Sequence, residues 1–295
     1  MKEFILQVIN GLQVGSIYAL VSLGYTMVYG AAKLINFAHG DIIMIGAYTS
    51  LMSIPFFVNS GLPVWLSVIP AIVVCTLIGL LTERVAYRPL RNSPKISNLI
   101  TAIGVSLLFQ NVALMKFGSA SRSVPKIFNA PPIEVFGLKL NYTMVITICT
   151  TVVLTIVLQL FMKNTKFGKG LIATSQDYDA AKLVGINVDN AIASIFGIGS
   201  MLGAVGALFY IAAYPQVNPY IGAMLGIKAF IAAVVGGIGI THGAVVGGFI
   251  LGIVEAMTKA YISTELADVF VFLILIVVLL VKPAGIFGKN VKEKV

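Results

Sequence analysis

Residues 4–29 read FILQVINGLQVGSIYALVSLGYTMVY, a long and predominantly apolar stretch near the start of the chain. A membrane-spanning helix needs about 20 such residues to cross a hydrocarbon core about 30 Å thick. Lys2 precedes the stretch, as in a signal peptide, but the stretch is long and carries Gly11, Gly15 and Gly24. We therefore predict that it is retained and crosses a membrane as a helix.

The whole chain shares this apolar character. Of its 295 residues, 58% are hydrophobic and only 11% are charged, and the mean hydropathy is +0.99. A soluble domain usually carries about 25% charged residues, so too few charges remain to solvate a globule of this size. Only helices or closed barrels satisfy their backbone hydrogen bonds in lipid, and runs this long lack the alternation of barrel strands. The composition predicts an all-α, polytopic membrane protein.

Nine apolar segments follow one another and predict a single transmembrane domain over residues 1–295. The seventh and eighth are joined only by Gly239 to Gly243, so they form either two spans or one re-entrant hairpin. Eight full spans is therefore the alternative to nine. The segments are 5–30, 37–58, 63–82, 97–117, 142–162, 190–213, 221–239, 243–260 and 265–282.

Lysine and arginine predict the orientation of these spans. With nine spans, three basic segments fall on one side, which the positive-inside rule makes cytoplasmic. The N-terminus is then outside and the C-terminus inside, and the net charge of +9 orients the protein instead of indicating nucleic-acid binding. The proline-containing loop 117–141 is expected outside, although it is also basic. The cytoplasmic basic residues are Arg84, Arg88, Arg91 and Lys95, then Lys163, Lys166 and Lys169, then Lys282, Lys289, Lys292 and Lys294.

A weak internal repeat is visible when the chain is aligned on itself with an offset of 182 residues. In the predicted topology its two copies run in opposite directions, and inverted repeats are common in transporters. The identical pairs are Leu20 with Leu202, Gly24 with Gly206, Asn36 with Asn218, Gly40 with Gly222 and Ala47 with Ala229.

Motifs that would carry catalysis are missing. The two histidines, His39 and His242, are far apart, and the chain has no HExxH, no paired aspartate motif and no Walker A loop. Cys75 and Cys149 show neither a disulfide framework nor metal-ligand spacing. We predict that the chain is not an enzyme, binds no metal or cofactor, and does not itself hydrolyse ATP.

Ionisable residues inside spans are costly and are candidates for function. The motif NFAHGD, residues 36–41, is either a helix start near the membrane surface, capped by Asn36 with Asp41 favoured by the helix dipole, or a polar patch beside a permeation path. The other two are Lys228 and Glu255, and Glu255 is one helical turn from Lys259, a spacing that favours an ion pair.

The loop at about residues 163–190 contains the polar, helix-prone stretch GLIATSQDYDAAKLVGINVDNA, residues 170–191. Asp177 and Asp179 suit the start of a short helix, and Gly185 suits its end. Such a helix is either a capped surface helix or a protrusion that fits a groove in a partner.

These segments resemble a known family, the LivH-type branched-chain amino acid permeases of ABC importers. The loop GKGLIATSQDYDAAKLVGINVDNAIA, residues 168–193, resembles their EAA-like coupling loop, with Asp179 where the better-known signature has Glu. The resemblance covers essentially the whole chain. Its other segments are GSIYALVSLGYTMVYG (15–30), INFAHGD (35–41), ERVAYRPLR (83–91), VNPYIG (217–222), KAFIAAVVGGIG (228–239), GGFILGIVEA (247–256) and KPAGIFG (282–288).

The resemblance implies an importer subunit with an ABC permease fold in a bacterial or archaeal plasma membrane. It implies a LivM-type sister permease, two cytoplasmic ATPase subunits that use the ATP, and an extracytoplasmic binding protein that delivers leucine, isoleucine or valine. The implied ATPase contacts are Gln176, Asp177, Ala180, Ala181, Gly185 and Ile186, and the residues expected along the translocation path are Asn36, His39, Asp41, Asn218 and Tyr220.

Two alternatives remain open at this point. Members of the same broad permease group handle other small solutes, such as urea, amides or sugars, and no substrate code can be read in the sequence. A stand-alone secondary carrier or channel would work without ATPase partners and would need a membrane carboxylate.

Overall fold

The computed structural model of the protein describes residues 2–91, 93–135 and 138–288. All nine predicted apolar segments are helical there, and two further helices lie in the predicted coupling loop. The helices are α1 (Lys2–Ala32), α2 (His39–Asn59), α3 (Val68–Thr82), α4 (Lys95–Phe117), α5 (Tyr142–Asn164), α6 (Lys166–Gln176), α7 (Tyr178–Leu183), α8 (Val188–Ala213), α9 (Ile221–Gly236), α10 (Thr241–Tyr261) and α11 (Ala267–Val281). The prediction of an all-α membrane protein is confirmed.

Within the described residues, seven helical segments are long and apolar enough to cross a membrane, and they match the first six predicted segments and the eighth. The third of them, Val64–Leu90, is α3 together with short 3₁₀ and π turns at its two ends. Helices α9 and α11 have only 16 and 15 residues. At 1.5 Å per residue they are about 24 and 22 Å long, shorter than a hydrocarbon core of about 30 Å.

Helices α1 and α8 form the centre of the bundle. Residues 15–28 of α1 are buried on every side, as expected for a helix that is apolar all round. Helix α10 packs closely against α1 because both carry glycine at the contact. A Cβ atom on Gly15 would lie 2.8 Å from Phe249 Cα, and one on Gly11 would lie 2.6 Å from Ile253 Cα. Small residues at helix contacts permit this close approach in membrane proteins.

The predicted internal repeat is visible in the packing. Adding 182 to residue 39 gives 221, the first residue of α9, and the same shift moves α1 onto the range that encloses α8. Each central helix packs against helices of the other copy: α1 packs against α10 and α9, while α8 packs against α3 and α2. Helices α1 and α8 are antiparallel, because Gly24 lies against Gly199 while Val21, earlier in α1, lies against Gly206, later in α8. The two copies therefore run in opposite directions.

In the described part of the chain, four short strands lie at the other end of the bundle. Strand β1 (Arg122–Ser123) pairs antiparallel with β4 (Gln216–Val217), so the loops after α4 and α8 lie on the same side. Strands β2 (Ile133–Val135) and β3 (Leu138–Leu140) form a hairpin within the proline-containing loop 117–141. Of the predicted basic tail, Lys282 is described, while Lys289, Lys292 and Lys294 lie outside the described residues.

Candidate coupling and translocation sites

The predicted coupling loop folds into α6 and α7, which Asp177 separates. Thr165 Oγ1 accepts a hydrogen bond from the Gly168 N–H at 2.9 Å and caps the start of α6. Asp177 Oδ1 accepts hydrogen bonds from the N–H groups of Asp179 and Ala180 at 2.8 and 3.0 Å. These bonds satisfy donors that a helix start leaves free, so the short α7 has a defined beginning.

Helix α7 ends at Leu183, and Gly185 lies two residues beyond its end. The Gly185 φ of +85° lies in the left-handed region, which glycine adopts without steric cost. The Gly185 N–H donates to the Lys182 carbonyl at 2.9 Å, and the Ile186 N–H donates to the Ala181 carbonyl at 3.0 Å. This Schellman arrangement fixes the end of the helix. Gly185 and the half-buried Ile186, both predicted to contact an ATPase, therefore define where α7 stops.

The other predicted docking residues differ in exposure. Gln176, Asp177 and Ala180 are exposed and available to a partner. Ala181 is only 2% exposed and packs against the protein itself. Its role in this structure is to hold α7 in place, because a buried side chain offers no surface for docking.

The most exposed apolar side chains of this loop are Leu183 and Val184, at 89% and 75% exposure. Sequence reasoning missed both. A signal was present, because two aliphatic residues directly precede the glycine that ends a short polar helix. They form an apolar tip at the end of α7, and such a protrusion suits a hydrophobic groove.

Tyr178 ties α7 to the centre of the bundle. Its hydroxyl donates a hydrogen bond of 2.5 Å to the carbonyl oxygen of Ala31, in the last turn of α1. Burial raises the pKa of the Tyr178 phenol, so the group stays protonated and remains a donor. The coupling loop is therefore bonded to the end of α1.

Two arginines tie the start of α8 to the end of the α3 segment. Arg91 pairs with Asp189 at 2.5 Å and with the buried Glu83 at 2.6 Å, and Arg88 also pairs with Asp189. In the sequence analysis both arginines served only to predict which side of the membrane is cytoplasmic. In the structure the two arginines also connect the end of the α3 segment to the start of α8.

Two of the predicted path residues, Asn36 and Asp41, are buried, at 2% and 1% exposure. Asn36 Oδ1 accepts a hydrogen bond from the Tyr87 hydroxyl at 2.8 Å, and Asp41 Oδ1 accepts one from Gln110 Nε2 at 2.9 Å. The interpretation of Asn36 as the cap of α2 is wrong. The helix begins after Ala38 without a side-chain cap, because the Asn36 side chain is bound to Tyr87 instead.

His39 lies at the first position of α2 and is 1% exposed. Its ring meets the Tyr25 ring edge to face, with centroids 4.9 Å apart. A Cβ atom on Gly24 would lie 2.4 Å from His39 Nε2, so the glycine creates the space that the imidazole fills. Among the described residues Nε2 has no hydrogen-bond partner.

Asn218 and Tyr220 lie in the repeat-related loop before α9. Asn218 Oδ1 accepts a hydrogen bond from the Tyr220 N–H at 2.9 Å, and the Tyr220 side chain is 52% exposed. The first turns of α2 and α9 meet where Gly40 contacts Gly222. The structure therefore gathers the NFAHGD side chains in the core and leaves Asn218 and Tyr220 at its edge.

A buried ionic cluster joins α1, α9, α10 and α11. Glu255 Oε1 accepts hydrogen bonds from Lys259 Nζ at 2.6 Å and Lys228 Nζ at 3.0 Å, and Oε2 accepts one from the Tyr18 hydroxyl at 2.6 Å. Lys228 also pairs with Asp268 at 2.7 Å. The predicted Glu255–Lys259 pair is confirmed. Across the part of the chain that the structure describes, no three His, Cys, Asp or Glu residues group to hold a metal ion.

Comparison with known proteins shows which chains are similar to this one in sequence. Residues 7–279 match the family described as branched-chain amino acid transport system / permease component. The permease protein LivH of the high-affinity branched-chain amino acid transport system of Escherichia coli strain K12 is 43% identical, over 99% of this chain and 98% of LivH. The corresponding permease protein BraD of Pseudomonas aeruginosa is 40% identical, over 99% of this chain and 98% of BraD.

A solved structure, PsaBC from Streptococcus pneumoniae in complex with a Fab, aligns with a TM-score of 0.48 at 17% identity. The alignment covers 95% of this chain and 92% of the other.

Proposed function

Because the chain belongs to the family of permease components of branched-chain amino acid transport systems, we propose that it is the membrane subunit of an ABC importer for leucine, isoleucine and valine. Two separate cytoplasmic ATPase subunits hydrolyse the ATP. A LivM-type sister permease completes the pathway, and an extracytoplasmic binding protein delivers the amino acid. In this assignment α6 and α7 lie in the cytoplasm, as does the C-terminus.

The exposed tip of α7 supports this assignment most strongly. Leu183 and Val184 stand 89% and 75% exposed on a helix whose two ends are both capped. Capping stabilises a short helix, and burial of an exposed apolar tip in a groove lowers the free energy of the complex. These are the properties that a docking helix for an ATPase needs.

The contacts of the loop suggest how docking acts on the pathway. Tyr178 of α7 bonds to the end of α1, and only residues 184–187 separate α7 from the start of α8. Helices α1 and α8 are the two central, repeat-related helices, so a shift of α7 is passed to both copies of the repeat. A partner changes the equilibrium between inward and outward states only if it binds those states differently. Closure of the ATPase dimer on α7 supplies that difference.

Replacing Leu183 by aspartate tests the assignment. The change places a charge in the ATPase groove, where desolvation opposes binding, so we expect ATP-dependent leucine uptake to fall about tenfold or more. Uptake of labelled leucine is measured in cells, or in right-side-out membrane vesicles that contain ATP and are supplied with the binding protein. The ATPase subunits that co-purify with the detergent-solubilised chain are quantified in parallel.

Ile133→Asp is the matched control, because Ile133 is an exposed apolar residue of the hairpin at the opposite end of the bundle. This variant should transport and co-purify as the wild type does. Uptake that persists when ATP is depleted and stops when the proton gradient is collapsed would support a secondary carrier instead. Uptake of a sugar or amide but not of leucine would overturn the substrate.

A further inference from the structure

A cavity of about 320 Å³ lies at the coupling-loop end of the bundle. It is open on one side and is lined by the second halves of α1 and α5, by α6, by Ile195 of α8, and by the loop between α9 and α10 with the first residues of α10. Binding pockets for small molecules start at about 300 Å³, so the cavity holds an amino acid but not a large ligand. The lining residues are Thr26, Met27, Gly30, Ala31, Leu158, Gln159, Met162, Lys163, Leu171, Ile172, Ser175, Ile195, Gly239, Ile240, Thr241 and His242.

Most of the wall is aliphatic. The side chains of Leu171, Ile172, Ile195 and Ile240 contribute to it, and Leu171 and Ile195 are 1% and 2% exposed in the structure. A wall of this kind favours an aliphatic ligand group, because both apolar surfaces are removed from water when they come into contact. The side chain of leucine, isoleucine or valine matches this surface.

The polar groups of the lining are few, and they differ in depth: one is buried and the charged or basic ones are exposed. Thr26 is fully buried, and its Oγ1 has no hydrogen-bond partner among the residues that the structure describes. Lys163 and His242 are exposed, and both belong to the lining, where no aspartate or glutamate occurs. The unpartnered hydroxyl calls for a polar ligand atom inside, and the basic side chains favour a carboxylate at the mouth.

We propose that this cavity is a binding site for a branched-chain amino acid that enters from the cytoplasm. The proposal rests on the proposed function for the side of the membrane and the class of solute. The aliphatic side chain packs against the α6 and α8 wall. The ammonium group donates to Thr26 Oγ1 and to Gln159 Oε1, and the carboxylate lies near Lys163.

The place of the site gives it a consequence for transport. Leu171, Ile172 and Ser175 belong to α6 of the coupling loop, while Gly239 and Ile240 belong to the loop after α9, and Thr241 and His242 begin α10. A ligand between them contacts both segments and restrains their relative movement. Accumulated amino acid in the cytoplasm then slows the importer, since only ligand bound in the cavity resists the shift of α6.

Equilibrium binding to the full-length chain in lipid nanodiscs tests the site, with labelled L-leucine and without any binding protein. We expect one saturable site per chain. Thr26→Val keeps the shape of the side chain and removes the hydroxyl, so it should weaken leucine binding about tenfold, the loss expected for one hydrogen bond to a charged group. Isoamylamine, which has the side chain and the amine but no carboxylate, should compete only weakly with leucine. Because it has no carboxylate to meet Lys163, its affinity should be the same for the wild type and for Lys163→Gln.

Thr76→Val is the matched control, because Thr76 Oγ1 is likewise buried and without a partner but lies on α3, away from the cavity. Neither valine variant should lower the melting temperature, since no hydrogen bond is lost in the empty protein. Absence of saturable leucine binding overturns the proposal, and so does a Thr26→Val chain that binds leucine as tightly as the wild type. Displacement of leucine by inorganic phosphate as effectively as by valine would show an anion site instead.

The outcome is separable from that of the proposed function. If the intact importer transports leucine and the nanodisc chain does not bind it, the cavity is wrong and the function stands. If leucine binds as expected but ATP-driven uptake is absent, the function fails and the site remains.

Discussion

Replacing Glu255 by leucine should lower the free energy of unfolding of the detergent-solubilised chain by about 3–5 kcal/mol. Glu255 is 2% exposed, and its two oxygens accept hydrogen bonds from Lys228, Lys259 and Tyr18. Without the carboxylate, Lys228 remains buried with only Asp268 beside it, and the Asp268 side chain is 44% exposed. The cluster changes from neutral to a net positive charge in a low-dielectric region. Thermal and denaturant unfolding, followed by circular dichroism, measure the loss.

A double variant separates the lost charge balance from lost packing. Lys228→Met combined with Glu255→Leu removes one positive and one negative charge, and apolar replacement of a buried pair is often neutral or stabilising. We therefore expect the double variant to regain most of the stability that Glu255→Leu loses. Lys259→Met should cost less than Glu255→Leu, because the Lys259 side chain is 36% exposed and reaches water. A double variant as unstable as the single one would contradict this account.

The apolar segments could be predicted from the sequence because their signal is local. Each segment satisfies its backbone hydrogen bonds internally, so length and hydropathy are sufficient to place a helix. The start and end of α7 could be predicted for the same reason, since Asp177 and Gly185 bond to backbone groups two or three residues away. The repeat could be predicted because close helix contacts need glycine, as at Gly40 and Gly222, and the same residue type then occurs at the equivalent positions of both copies.

Long-range partners could not be predicted in this way. The pair of Glu255 with Lys259 follows from helical spacing, but its hydrogen bond to Tyr18 joins residues 237 positions apart. Asn36 has the composition of a helix cap, yet tertiary structure brings Tyr87 close enough to take its side chain. Exposure was also out of reach, because the contrast between the buried Ala181 and the exposed Leu183 depends on how α7 lies against α1 and α8.

Replacing Gly40 or Gly222 by alanine should destabilise the protein by about 3 kcal/mol, the upper part of the range for overpacked sites. A Cβ atom on Gly40 would lie 2.3 Å from the carbonyl oxygen of Gly222, and one on Gly222 would lie 2.2 Å from the carbonyl oxygen of Gly40. Both obstacles are backbone atoms, so no side-chain rotation relieves the clash. The first turns of α2 and α9 must separate, and the packing around His39 opens with them. Melting temperature and leucine uptake measure the effect.

Gly104→Ala is the matched control, since nothing lies within 4 Å of a Cβ atom added there in α4. It should leave stability unchanged or raise it slightly, because alanine favours helix more than glycine does. The two clashing substitutions act on one contact, so once the first has parted the helices the second meets less resistance. The double variant should therefore lose less stability than the sum of the single losses, whereas Gly104→Ala combined with either should be additive. Additive losses for Gly40 and Gly222 would mean that the two repeats do not meet at this point.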